Sequence, residues 1–138
     1  VVLLFLAAWG NDTLAYCTGM LIGKHKMSPI LSPKKSIEGL VGGIVGAAIL
    51  GALYGLYLNT YIRFSFNPVT MFPIVCGLSG AVSVIGDLAA SAIKRDSGIK
   101  DYGTLIPGHG GILDRFDSII FIAPVIYYLT VMISGGAI

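Results

Sequence analysis

SAIKRDSGIKDYGTLIPGHGGILDRFD, residues 91 to 117, decides how this chain is read. It holds Lys94, Arg95, Asp96, Lys100, Asp101, Asp114, Arg115 and Asp117, half of the formally charged side chains in a 138-residue sequence that is otherwise apolar. Hydrophobic residues make up 55% of the chain and Asp, Glu, Lys and Arg only 12%, about half the charged fraction of a soluble domain. With a mean hydropathy of +0.85, the composition predicts an integral membrane protein. The net charge of +2 is too small to argue for nucleic acid as a partner.

Immediately upstream lies an apolar span from about residue 69 to 93, entered at Pro68 and containing Asp87. On a helix Asp87, Ser91, Lys94 and Arg95 fall at i, i+4, i+7 and i+8, one stripe of a single face. At about 1.5 Å per residue, Asp87 lies roughly 10 Å below the cationic end, inside the membrane but reachable from its surface. Downstream, residues 118 to 134 make another span, with Asp114 and Asp117 at i and i+3 near its start. Asp117 before Ser118 also suits a helix N-cap.

Further out, residues 39 to 60 form a span whose glycines recur as Gly39/Gly43, Gly42/Gly46 and Gly51/Gly55. Small residues at that spacing let another helix approach closely, a packing seam or a homodimer contact. Residues 61 to 68 are a short turn with one cation, Arg63, and aromatics suited to an interfacial belt. Residues 23 to 38 carry Lys24, His25, Lys26, Lys34 and Lys35, and Ser32 followed by Pro33 suits a helix start. The four lysines serve either as a topogenic loop or as phosphate ligands.

Residues 1 to 22 are apolar over about the length of a crossing, interrupted by Gly10, Asn11, Asp12 and Thr13. A broken first helix is expected there, with Asn11 or Asp12 as a cap, and Asp12 is a candidate for function because an ionisable group in a span usually faces a cavity or partner. The opening VVLLFLAAW lacks a basic n-region and a cleavage site, so the chain reads as a fragment or mature portion and its opening not as a signal peptide. Cys17 and Cys76, without metal-ligand spacing, read as small buried hydrophobes.

Two crossings separate the lysine block from the stretch at 94 to 117, so both fall on one membrane face with eight of the nine Lys and Arg. The positive-inside rule makes that face the cytoplasm. The fold expected is an all-α integral membrane protein of about four transmembrane helices, the first broken near Gly10–Thr13, with a polar active site at the cytoplasmic face.

Carboxylates without paired cysteines favour a hard cation such as Mg²⁺, which takes oxygen ligands and completes its shell with substrate phosphates. Lysine and arginine beside them suit polyphosphate charge. The glycine-rich turn Gly103, Gly108, Gly110 and Gly111, around Pro107 and His109, can bring backbone N–H groups against anionic oxygens. Together these point to a nucleotide or phosphate enzyme working at the membrane. Asp87 as a structural ion-pair partner of Lys94 or Arg95, and His109 as filler of a polar turn, are the plainer readings of the same residues.

Ser91-x-Ile93-Lys94-Arg95, Lys100-Asp101-x-Gly103 and Pro107-x-His109-Gly110-Gly111-Ile112-x-Asp114-Arg115-Phe116-Asp117 resemble the signature of phosphatidate cytidylyltransferases, or CDP-diacylglycerol synthases. Trp9-x-Asn11-Asp12-Thr13-x-Ala15-Tyr16, Gly23-Lys24-His25-Lys26 and Ser32-Pro33-Lys34-Lys35-Ser36-x-Glu38-Gly39 resemble the family as well. Leu14 and Met20 depart from it, glycine and arginine being commoner there. The resemblance covers nearly the whole chain as the C-terminal catalytic part, residues 1–138, of a family with further N-terminal spans.

The resemblance implies transfer of CMP from CTP to phosphatidate, with Mg²⁺ and a second cation as cofactors, in a bacterial inner (plasma) membrane. Asp87 and Asp114 are the principal metal ligands implied, with Asp117 and Asp12 beside them. Lys94, Arg95, Arg115, Lys24, Lys34 and Lys35 would neutralise the triphosphate and the lipid phosphate, with Ser91, Gly110 and Gly111 also at the substrates. His109 would assist departing pyrophosphate. CTP, phosphatidate and the lipid bilayer are the partners expected, with no nucleic acid. Two rivals belong to other classes: a cation-coupled transporter or channel using Asp12 and Asp87, and an assembly subunit held by the glycine-rich span.

Overall fold

Helix α3 (Ile37–Tyr61) is the axis of the molecule, because its inner face carries almost no side chain. Gly39, Gly43, Ala47, Gly51 and Gly55 are buried at a period of four. A Cβ added at Gly39 would stand 2.7 Å from the Ala15 carbonyl oxygen, and one at Gly51 would stand 2.7 Å from that of Phe72. Two other helices therefore approach backbone to backbone along this stripe, one over each half. The outward ridge of the same helix, Val41, Val45, Ile49 and Leu53, is exposed.

The computed structural model describes residues 1–28, 32–63, 66–99 and 113–134, and at 28, 32–34 and 113–117 it describes the backbone. Along the chain run α1 (Val2–Phe5), a π-helical turn (Leu6–Gly10), α2 (Asn11–Ile22), strands β1 (Lys26–Ser28) and β2 (Ser32–Ser36), then α3, α4 (Pro68–Asp96) and α5 (Leu113–Ile133). Among the described residues two helices, α3 and α4, are long and apolar enough to cross a membrane, and Ser118–Ile133 is a shorter apolar one.

Four sequence expectations are corrected, the briefest being that of the cysteines: Cys76 is buried but Cys17 is exposed. The first helix is not interrupted at Gly10–Thr13, and neither Asn11 nor Asp12 caps it: both lie inside α2, whose start makes no side-chain cap bond. The irregularity is the wide turn at Leu6–Gly10, which absorbs an extra residue while keeping the backbone bonded, as an apolar environment demands. Ser32 and Pro33 do not start a helix. They lie in β2, paired antiparallel with β1 (Lys26 opposite Ser36, Ser28 opposite Ser32), and Ser36 caps α3 instead, its Oγ accepting from the Gly39 N–H at 3.1 Å. Asp117 is no cap either, because α5 already begins at Leu113.

Helix α4 begins as its sequence suggests, with Pro68 at the first position and Asn67 Oδ1 accepting from the Val69 N–H at 3.0 Å. It ends in a Schellman arrangement: Gly98 takes φ +68°, its N–H donates to the Arg95 carbonyl at 3.1 Å, and the Ile99 N–H donates to Lys94 at 2.9 Å. Lys94 and Arg95 thus occupy the last turn, where the helix dipole favours positive charge.

The core has two parts. Ala7, Ala8, Ala47, Cys76 and Ile122 form one, where the π turn, α3, α4 and α5 meet. Met71, Phe72 and Val75 form the other, backed by Leu3, Tyr54 and Leu129. Tyr54 stacks on Phe72 with centroids 5.8 Å apart. Gly51→Ala should lower unfolding free energy in detergent by about 1–3 kcal/mol, because the new methyl meets a backbone oxygen that cannot rotate away. Reversible unfolding followed by circular dichroism measures it, and unchanged stability would contradict this packing.

Candidate functional site

One side of the site comes from the hairpin. After α2 ends at Gly23, the chain turns into β1 and β2, which hang beside the amino end of α3. Glu38, in the first turn of α3, anchors the hairpin. Its Oε1 lies 2.7 Å from His25 Nδ1, and both carboxylate oxygens accept from the His25 backbone N–H, at 3.3 and 3.2 Å. The Ile37 N–H donates to the His25 carbonyl at 2.9 Å. These bonds fix the lysine-bearing strand against the helix bundle.

The other side is α4. Asp87, half-buried, forms an ion pair with Lys35 Nζ of β2, which is 28% exposed. Its partner is therefore a lysine 52 positions back in the chain, and this contact carries the expectation that the lysine block and the carboxyl end of α4 share one end of the bundle. Two charges taken partly out of water favour each other more strongly than on an open surface.

Asp12 completes the arrangement. It lies in the first turn of α2, next to the buried Asn11, whose Nδ2 donates to Asp12 Oδ1 at 3.4 Å. Asp12, Tyr16, Lys35, Ser36 and Asp87 line one cavity of about 290 Å³, floored by Leu40 and Val84. A second cavity of about 350 Å³ adjoins it, lined by Gly23, Lys24, His25 and Lys26, and shares Tyr16, Lys35 and Ser36 with the first. Carboxylates, a lysine and hydroxyls are thus gathered from three elements, α2, β2 and α4, that are distant in sequence.

Of the residues singled out from sequence, Asp12, Asp87 and Lys35 meet in the first cavity and Lys24 lines the second. Ser91 and Lys94 are half-buried on the last turns of α4, and Arg95 is exposed. Asp114 and Asp117 stand in the opening turns of α5 together with Arg115; their side chains, and that of Lys34 in β2, lie outside the described residues, as do His109, Gly110 and Gly111. Among the described residues no three of His, Cys, Asp and Glu gather as metal ligands. The donors that do converge, Asp12 and Asp87, are all oxygen, and that set fits a hard divalent cation.

Sequence reasoning missed Tyr16 and Ser36 as lining residues and the His25–Glu38 clamp. The signal for the clamp was present as a histidine between two lysines and a lone glutamate just inside the next helix. It also missed a buried polar set: Asn11 Oδ1, Ser79 Oγ and Ser83 Oγ have no hydrogen-bond partner among the described residues, and the two serines precede Asp87 by two turns and one turn of α4.

The chain is 41% identical over 127 residues to the phosphatidate cytidylyltransferase of Staphylococcus aureus, covering 92% of this chain and 47% of that protein. It is 39% identical over 129 residues to the phosphatidate cytidylyltransferase of Staphylococcus saprophyticus, covering 94% and 48%. The chain therefore spans about half the length of the curated relatives it matches. Residues 1–133 match the model of the cytidylyltransferase family, with hairpin, α4 and α5 all inside the match, and the chain belongs to that family.

Proposed function

We propose that this chain forms the catalytic part of a membrane phosphatidate cytidylyltransferase, which transfers CMP from CTP to phosphatidate and releases pyrophosphate. The observation that carries the reading is the cavity in which Asp12 and Asp87 meet Lys35, acidic and basic groups positioned together at the end of two apolar helices. The names of the relatives supply the cytidine and the lipid.

Phosphatidate is a phosphate monoester with a second pKa of about 6, so its oxygen is already ionised at neutral pH and needs no dedicated base. That oxygen forms a bond to the α-phosphorus of CTP, and the bond from that phosphorus to the β-phosphate oxygen breaks, its electron pair staying with pyrophosphate. The work left to the protein is to hold two anions together and to neutralise the charge that departs. Lys35 stands at the wall between the two cavities and can follow charge from one to the other. Lys94, Arg95 and Arg115 would add to the neutralisation, with Ser91, Lys34, Gly110 and Gly111 at the substrates and His109 at the leaving group.

Asp87, Asp12, Asp114 and Asp117 would hold Mg²⁺, and a second cation beside it. Bound there, the metal supplies Lewis-acid polarisation of the phosphoryl oxygens. In this reading four helices cross a bacterial inner membrane, with the hairpin and the end of α4 toward the cytoplasm. The glycine seam of α3 is taken up by α2 and α4 of the same chain, so a homodimer contact through this helix would use the exposed Val41–Leu53 ridge.

The test is direct. The full-length protein containing this chain, in detergent with short-chain phosphatidate and radiolabelled CTP, should form CDP-diacylglycerol with Mg²⁺ and none after chelation. Cation flux in proteoliposomes without any product from CTP would reject the reading in favour of a transporter.

A further inference from the structure

The two adjoining cavities differ in chemistry. The inner one sets Asp12 and Asp87 among Ala15, Met27, Leu40 and Val84, so a bare anion enters it against two carboxylates and an apolar floor. The outer one is lined by Lys24, Lys26 and Lys35 with His25, Gly19 and Gly23. Glu38, a carboxylate beside it, is engaged by His25, and Asp87 is paired with Lys35 at the common wall. Lys24 and Lys26 are exposed at its rim, whereas Lys35 is half-buried at the wall common to both cavities.

We infer that the outer cavity is a separate anion site for the β,γ-diphosphate of the nucleotide, with Lys24 and Lys26 as its ligands and His25 as a positioning residue clamped by Glu38. The inner cavity then receives the lipid phosphate. The division follows from the linings. A glyceride phosphate carries acyl chains that an apolar floor between helices suits, and its charge there needs a cation at Asp12 and Asp87. A diphosphate carries several negative charges and no apolar part, and it suits an open, lysine-rimmed cleft whose volume of about 350 Å³ is in the range of small-ligand sites. Lys35, shared by both, lies where the α-phosphorus would pass from one substrate to the other. Lysines act here as mobile point charges, a mode suited to a group that must leave.

The assignment deepens the cytidylyltransferase reading and rests on it for the identity of the ligand, but the cavity can be tested without turnover. Pyrophosphate binding to the full-length protein is measured by calorimetry in chelator and again with Mg²⁺, for the native chain, for Lys24→Gln/Lys26→Gln and for Asp87→Asn. The double variant should weaken pyrophosphate in chelator about tenfold or more, while Asp87→Asn leaves that binding intact. Short-chain phosphatidate binding should be unchanged in the double variant.

Pyrophosphate binding indifferent to the two lysines overturns the inference. So does a double variant that loses phosphatidate as strongly as pyrophosphate, which would give the outer cavity to the lipid headgroup. An unfolded double variant is recognised by its thermal transition, and Lys24→Gln and Lys26→Gln separately, each at this exposed rim, then carry the same comparison. If lysine-dependent pyrophosphate binding is found but CTP is never consumed, the anion site stands and the proposed activity falls.

Discussion

Asp87→Asn should lower CDP-diacylglycerol formation by about 10³-fold, equivalent to about 4 kcal/mol of transition-state stabilisation, while the protein stays folded in detergent. Asparagine keeps the shape of the side chain and one carbonyl oxygen for Lys35 Nζ, so the contact between β2 and α4 survives. What disappears is the negative charge that would hold a divalent cation in the cavity shared with Asp12. Raising Mg²⁺ tenfold should recover part of the rate, because mass action offsets weaker binding of the cation. Turnover within a fewfold of native, in a variant with an unchanged thermal transition, would remove Asp87 from the metal site and leave it as a structural ion pair.

Lys35→Gln should cost about 10²-fold in turnover, the order found when one preorganised donor to a developing anion is removed. Lys35 lines both cavities, and in the proposed reaction a positive charge at their common wall would face whichever phosphate is gaining charge. Two single effects of this kind should not multiply. In the double variant Asp87→Asn/Lys35→Gln the loss should stay close to that of Asp87→Asn alone, since both residues serve one reacting centre. Fully multiplicative losses would mean that the ion pair seen between them has no part in the chemistry.

The sequence was most legible where a pattern is local. Pro68 at the start of α4, the glycine period of α3 and the cationic last turn of α4 all stand where the residues indicated, because caps and small-residue stripes act within a few positions. The hairpin was not legible. Strands of three and five residues, rich in lysine, serine and proline, show no alternation, and the hairpin is held by strand pairing and by Glu38 at His25, just ahead of β1, more than by its own propensity. The π turn was equally hidden, since a one-residue widening leaves hydropathy unchanged. The Lys35–Asp87 pair depends on the whole path of α3 lying between its members, and topology counting could place them at one end of the bundle but could not choose Lys35 among four lysines.

The widened turn at Leu6–Gly10 has a mechanical meaning. A surplus residue there advances the rest of the helix by about 100° of azimuth, so the apolar start and the polar end are geared to different neighbours: Leu3 to α5, Asn11 and Asp12 toward α3 and the carboxylate cavity. The turn works as a phase coupler. It lets the same rod of backbone answer to the core packing at one end and to the carboxylate cavity at the other, without either dictating the rotation of its counterpart.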